Sequence, residues 1–161
     1  MRQVVQSYKT GEVVLREVPV PRCGSKRILV RNCRSLISIG TERSTIELGR
    51  KSLAGKAAAR PDLVRRVWEK AKKEGLLKTW QEAMGRLDTP TPMGYSCAGI
   101  VKECGLAATE FSPGDRVACV GHGFASHAEF VSVPVNLACR IPEGVREEEA
   151  AFGMLGIIAL H

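Results

Sequence analysis

A chain of 161 residues, 44% apolar, has room for a hydrophobic core, and its 16 glycines and 8 prolines suit a turn-rich β fold better than a helical bundle. The net charge of +7 is mostly local, because positions 50–88 hold 11 Lys/Arg against 5 Asp/Glu while the remainder is nearly balanced. The longest apolar run, Ala150 to Leu160, is too short to cross a bilayer as a helix. The start of the chain, Met1-Arg-Gln-Val-Val-Gln-Ser-Tyr8, has no basic segment followed by an apolar one and alternates like a first strand, so a cytoplasmic location is expected.

Strand-like segments come first, over Arg2–Tyr8, Glu12–Val18 and Arg27–Ile37, separated by Thr10-Gly11 and by the stretch from Pro21 to Ser25. The pattern then becomes helical. Pro61 suits a first helical position, Leu63, Val64, Val67, Trp68 and Ala71 share one face, and Gly75 is a natural stop. A second short helix is expected where Thr79-Trp-Gln-Glu82 reads as a capping box, with Leu76, Trp80, Ala83, Met84 and Leu87 as its apolar stripe. From Gly94 to Pro142 the chain returns to short strands and tight turns. Pro113-Gly114 supplies the fixed and the positive φ of a type II turn. Ala128, Phe130 and Val133 set against Glu129 and Ser132 give a roughly alternating strand. A last helix begins at Glu147-Glu-Glu149, with acidic residues at its positive end, and runs apolar on every side to Leu160. The six cysteines include no Cys-x-x-Cys pair and several lie mid-strand among apolar neighbours, which favours buried reduced thiols over disulfides.

Three phrases at close spacing carry a family resemblance. They are Pro92-Met-Gly-Tyr-Ser-Cys-Ala-Gly-Ile-Val101, Phe111-Ser-Pro-Gly-Asp-Arg-Val117 and His127-Ala-Glu-Phe-Val-Ser-Val-Pro134. In this order they resemble the N-terminal, GroES-like domain of the medium-chain alcohol dehydrogenase/quinone reductase superfamily. The resemblance implies a mainly β, α+β fold, a partly open β-barrel over 1–149 with a helical insertion at about 50–88. It makes 150–161 the start of a linker helix into a dinucleotide-binding Rossmann domain outside this chain. An all-round apolar helix ending at His161 is then expected, since a longer enzyme would cover it.

The resemblance also locates where a catalytic zinc would be held, and there the donors are gone. The Cys of the family's first turn corresponds to Ile39 in Ile39-Gly40-Thr41-Glu42, and the His of its Gly-His-Glu phrase to Tyr95 in Gly94-Tyr95-Ser96. The third donor position falls near Leu155, and the four cysteines of the structural zinc lobe are absent. A catalytic zinc needs three such donors and an open position, so no metal is expected. Without that Lewis acid the reacting oxygen needs other hydrogen-bond donors. Thr41 matches the family's proton-relaying hydroxyl, and Tyr95 and Ser96 lie where metal ligands converge, so Thr41, Tyr95 and Ser96 are candidate catalytic residues. The equal alternative is that Tyr95 and Ser96 merely fill the vacated pocket. Gly40 and Thr41 are expected on the edge of a bound NAD or NADP. Glu42 is expected in a salt bridge or turn hydrogen bond.

Other motifs are weaker. Gly121-His-Gly-Phe-Ala-Ser126 partly imitates a phosphate-binding loop, but a strand rather than a helix follows, which favours a hairpin loop. Gly94-Tyr-Ser-Cys-Ala98 lacks the helix that a nucleophile elbow needs. His122 and His127 have no partner at metal spacing and are expected to pack. The basic segment, without interleaved aromatics or a reader motif, does not indicate nucleic acid. Its outer faces are expected to be solvated, or to meet an anionic substrate or partner. Taken with this insertion, the motifs look like the zinc-lacking bi-domain oxidoreductases, whose association with sugar-nucleotide metabolism would suit an anionic small-molecule substrate. No membrane partner is expected; a homo-oligomer is possible. The competing function is a non-catalytic binding or assembly module, and a third reading is a zinc enzyme with relocated ligands.

Overall fold

The computed structural model describes the backbone of all 161 residues and all side chains except those of 83 and 86–88. The Ala83 and Leu87 positions of the expected apolar stripe therefore lie outside the described side chains. Eight strands and six α-helices follow in the order β1 (Arg2–Gln6), β2 (Val13–Glu17), β3 (Arg27–Ser35), α1 (Ile39–Arg50), α2 (Leu53–Ala59), α3 (Pro61–Glu74), α4 (Leu76–Asp88), β4 (Thr91–Pro92), β5 (Ser96–Cys104), β6 (Arg116–Val120), β7 (Phe130–Pro134), β8 (Ala138–Arg140), α5 (Glu147–Ala150) and α6 (Gly153–Leu160). They form two units. One comprises Met1–Val4, Leu15–Ser38 and Pro92–His161, the other Val5–Val14 and Ile39–Thr91. Strands β1, β2 and β4 form a small sheet in the order β2-β1-β4.

The first unit is built on a five-stranded sheet, β7-β3-β5-β6-β8, antiparallel at each pairing. The register stacks apolar pairs on one face: Ile28 opposite Val133, Val30 opposite both Val101 and Val131, and Cys97 opposite Cys119. With Ala108, Phe111, Val117 and Ala125 these residues form the main core. The other face of β5 and β6 carries small residues, Ala98 and Ala118, which pack with Ile141 and Ala151 in a second cluster. Small side chains there let α5 approach the sheet closely. Gly99 serves the same end between strands, for a Cβ at that position would lie 2.2 Å from the Arg31 carbonyl oxygen. It sits at the irregularity between Asn32 and Arg34 in the β3–β5 register.

Local turn chemistry behaves as expected. Asp115 N–H donates to Ser112 O at 3.0 Å and Gly114 has φ 99°, closing the Pro113-Gly114 turn. Three expectations change. Strand β7 buries Val131 and Val133 and leaves Phe130 half-buried, because its pairing with β3 places those valines opposite Val30 and Ile28. The C-terminal helix is two helices rather than one, interrupted at Ala151 and Phe152. The helical excursion also starts earlier than position 50, since Ile39-Gly40-Thr41-Glu42 forms the first turn of α1 and not a loop.

In the second unit α1 is tied to β1 by Gln6, whose buried side-chain amide donates to Thr45 O at 3.0 Å. Pro61 opens α3, and Gly75 closes it with φ 94° and an N–H bonded to Ala71 O. The same glycine is the N-cap of α4. Thr79 therefore lies inside α4, its N–H bonded to Gly75 O, and the expected capping box at Thr79–Glu82 does not form. A helix that begins three residues earlier has no orphan amide there to cap. Helices α3 and α4 meet around the buried Ala71 and Thr79, with the Lys70 ammonium donating to the Glu82 carboxylate.

Candidate active site

Ser96 opens strand β5, Tyr95 directly precedes it, and the segment before them is held in a defined shape. Gly94 has φ 91°, and a Cβ there would lie 2.9 Å from the backbone nitrogen and imidazole of His127. The positive φ and the close approach both require glycine. His127 fixes the position from three sides: its N–H donates to Met93 O at 2.8 Å, its carbonyl accepts from Val4 N–H at 2.9 Å, and its Nδ1 is 2.9 Å from Ser35 Oγ. Next to it, Asn32 Nδ2 donates to Ser126 O at 3.1 Å and to Ala128 O at 2.7 Å, while Gln3 Nε2 donates to Ser126 Oγ at 3.2 Å. His127 thus acts as a packing residue, as expected. The clamp of Asn32, Ser35 and Ser126 has no signature in the sequence, because its members are 92 to 123 positions from their partners.

Tyr95 is half-buried, and its carbonyl accepts from Gly121 N–H at 2.8 Å. Ser96 is different. It is 1% exposed, its Oγ donates to Ala151 O at 2.7 Å, and the same oxygen lies 3.4 Å from Met154 N–H. The hydroxyl hydrogen is committed to the break between α5 and α6. Ser96 was expected beside Tyr95 as a reacting hydroxyl; it sits beside Tyr95 in sequence but faces the linker helices.

Two further contacts hold α5 against the sheet. Arg116 Nε donates to Glu147 at 2.8 Å, and Arg116 also donates to Val145 O at 2.6 Å. That guanidinium holds the Glu147 carboxyl below the usual carboxylate range. At the helix start, Glu149 accepts from Arg146 N–H at 2.9 Å, the returning half of a capping box. In the Gly121–Ser126 loop the N–H groups of Phe124 and Ala125 both donate to Gly121 O. Those amides are turned inward, which fits a closed turn and not a phosphate cradle.

Gly40 and Thr41 lie in the second unit, in the exposed first turn of α1. A Cβ on Gly40 would meet nothing within 4 Å, so packing does not demand glycine there. Glu42 shares this turn, where its charge suits the positive end of the helix. Ile39 and Leu155, which the sequence resemblance sets at or near expected metal-donor positions, are 79% and 36% exposed. Among the described residues no three His, Cys, Asp or Glu side chains come together at metal-binding spacing.

Residues 70–143 match the family model of the alcohol dehydrogenase GroES-like domain. Solved structures share the fold of this chain. Galactitol-1-phosphate dehydrogenase from Escherichia coli superposes with a TM-score of 0.68 at 16% identity, covering 100% of this chain and 44% of that one. Escherichia coli quinone oxidoreductase complexed with NADPH gives a TM-score of 0.61 at 15% identity, over 94% of this chain and 36% of its own. Sequence relatives are highly reducing polyketide synthases. The protein from Cladosporium cladosporioides is 34% identical over 80 residues, 49% of this chain and 3% of the synthase. The Gibberella fujikuroi synthase is 39% identical over 61 residues, 38% of this chain and 2% of the synthase. The chain therefore spans less than half of each of these solved structures and a few hundredths of each synthase.

Proposed function

We propose that this GroES-like chain is the substrate-side domain of an NAD(P)-dependent, zinc-independent oxidoreductase, acting on a carbonyl, an alcohol or an activated alkene. The observation that carries the reading is the residue set at the family's metal positions: Ile39 and Leu155 are hydrocarbon, and Tyr95 offers a phenol at the start of a strand whose approach is locked by Gly94 and His127. Hydrocarbon cannot ligate a divalent cation. Nicotinamide chemistry is supported by the quinone oxidoreductase neighbour described with NADPH and by the reducing synthases among the relatives. When bound, the nicotinamide supplies or accepts the hydride.

The chain's own residues then have separate tasks. Tyr95 donates a proton to the oxygen that gains charge, and Thr41 is the second hydroxyl. Gly40, with open space where a Cβ would stand, leaves room for the cofactor's edge. Ser96 is a positioning residue, holding β5 to the α5–α6 break. Most cofactor contacts belong to a dinucleotide-binding domain beyond these residues, so the isolated chain binds NAD(P) weakly and is inactive. In the longer enzyme, Tyr95→Phe and Thr41→Val each cut turnover about tenfold or more, the low end for loss of a positioned donor. Unchanged turnover in both would overturn the assignment. The rival reading, an assembly module without catalysis, draws on the exposed apolar residues of α6, and hydride-transfer assays of the longer protein with a panel of small carbonyls separate the two.

A further inference from the structure

The apolar residues of the helical excursion have core spacing, yet they stand in solvent. On α3, Leu63, Val64, Val67 and Trp68 are 43, 46, 41 and 57% exposed, and on α4 Leu76, Leu77 and Trp80 are 68, 73 and 57% exposed. At 100° per residue the α3 set spans a sector of about 140°. Basic side chains border that sector on both sides: Arg65 and Lys72 beyond Trp68, Lys70 and Arg66 beyond Leu63. Among the described residues Arg66, Lys72 and Lys73 make no ion pair, and Lys72 Nζ lies 5.6 Å from the centroid of the Trp68 ring.

A partner must therefore accept hydrocarbon, indole and cationic groups in one surface. A second copy of the hairpin would set a local surplus of positive charge against itself. A bilayer with anionic headgroups meets all three demands, since indoles settle at the membrane–water boundary and lysine and arginine reach the headgroups. No described helix is long and apolar enough to cross a membrane, but a helix lying in the interface needs no spanning length.

We propose that the α3–α4 hairpin docks on the surface of a bilayer rich in anionic lipid. The expectation of no membrane partner came from the lack of a spanning run and did not address surface binding. The chain contains only two tryptophans, Trp68 and Trp80, both on this hairpin, so intrinsic fluorescence reports directly on it. Titration with vesicles of equal parts phosphatidylcholine and phosphatidylglycerol shifts the emission to the blue, high salt reverses the shift, and phosphatidylcholine alone produces little. The triple variant Arg66→Gln, Lys72→Gln, Lys73→Gln, at exposed positions that leave the fold intact by circular dichroism, lowers partitioning about a hundredfold, from about 1 kcal/mol per basic residue. Three results overturn the proposal: no shift with anionic vesicles, equal partitioning to neutral vesicles, or a shift without vesicles that follows a rise in mass by light scattering. The last would assign the face to self-association.

Discussion

Replacing Ser96 by alanine isolates one hydroxyl that joins the sheet to the break between α5 and α6. The Oγ donates at 2.7 Å to Ala151 O, and both residues are almost fully buried, at 1% and 3% exposure. Alanine loses a hydrogen bond worth about 1 kcal/mol net and leaves the Ala151 carbonyl without its donor in a dry site, a further penalty of about 1–3 kcal/mol. The contact to Met154 N–H is long at 3.4 Å and only partly buried, so water replaces it at little cost. Ser96→Ala therefore destabilises the first unit by about 2–4 kcal/mol, a shift in Tm on the order of 10–20 °C for a unit of this size. Urea denaturation followed by circular dichroism reads the loss, and hydrogen exchange at the Met154 amide reads the local loosening of α6. A loss below about 0.5 kcal/mol, with exchange unchanged, would refute the assignment of this hydroxyl as the fastener. In the longer enzyme the same variant keeps turnover within a few-fold below its transition temperature, whereas a reacting hydroxyl would lose activity in a fully folded protein.

Gly99→Ala places a methyl 2.2 Å from the Arg31 carbonyl oxygen, so β3 and β5 must part, and the cost is at least the 1–3 kcal/mol of an overpacked core, about; unfolding at unchanged urea midpoint would contradict the close approach. Cys97 and Cys119 face each other across β5 and β6 with no exposed surface, and their mutual hydrogen bond together with burial pushes the Cys119 thiol up. Iodoacetamide at mildly alkaline pH should modify the exposed Cys139 in the native chain but reach Cys97 and Cys119 only after denaturation, as peptide mass mapping would show. The Glu147 carboxyl, held low by its hydrogen bond to Arg116, contributes stability that is present above the ordinary carboxylate pKa and is lost as pH falls through its depressed folded value. Thermal melts from neutral to acid pH should therefore fall less steeply for Glu147→Gln than for the parent; equal acid slopes would show that the pair is not linked to folding.

Features that depend on neighbouring residues could be read from the sequence. The Pro113-Gly114 turn, the Pro61 start and Gly75 stop of α3, and the strand cores follow from backbone geometry over a few residues. The family phrases around Gly94, Pro113 and Ala128 were equally visible, because each records a turn or strand that the barrel needs. The candidate site was half legible: the sequence shows hydrocarbon at Ile39 and Leu155 and a phenol at Tyr95, but nothing local declares that Ser96 is spent on Ala151, 55 positions later.

By itself the sequence determined the order of elements, their turn chemistry, the apolar periodicities and the chemical nature of the side chains at the family's metal positions. Tertiary structure alone decided which of those periodic faces are covered. Strand pairing with β3 chose Val131 over Phe130 for the core, Ser96 split the last helix, and α3 and α4 met at Ala71 and Thr79 while Trp68 and Trp80 stayed in solvent. A hydrophobic period states where a helix is apolar, whereas burial depends on what another part of the chain brings to that face, and residues distant in sequence supply it.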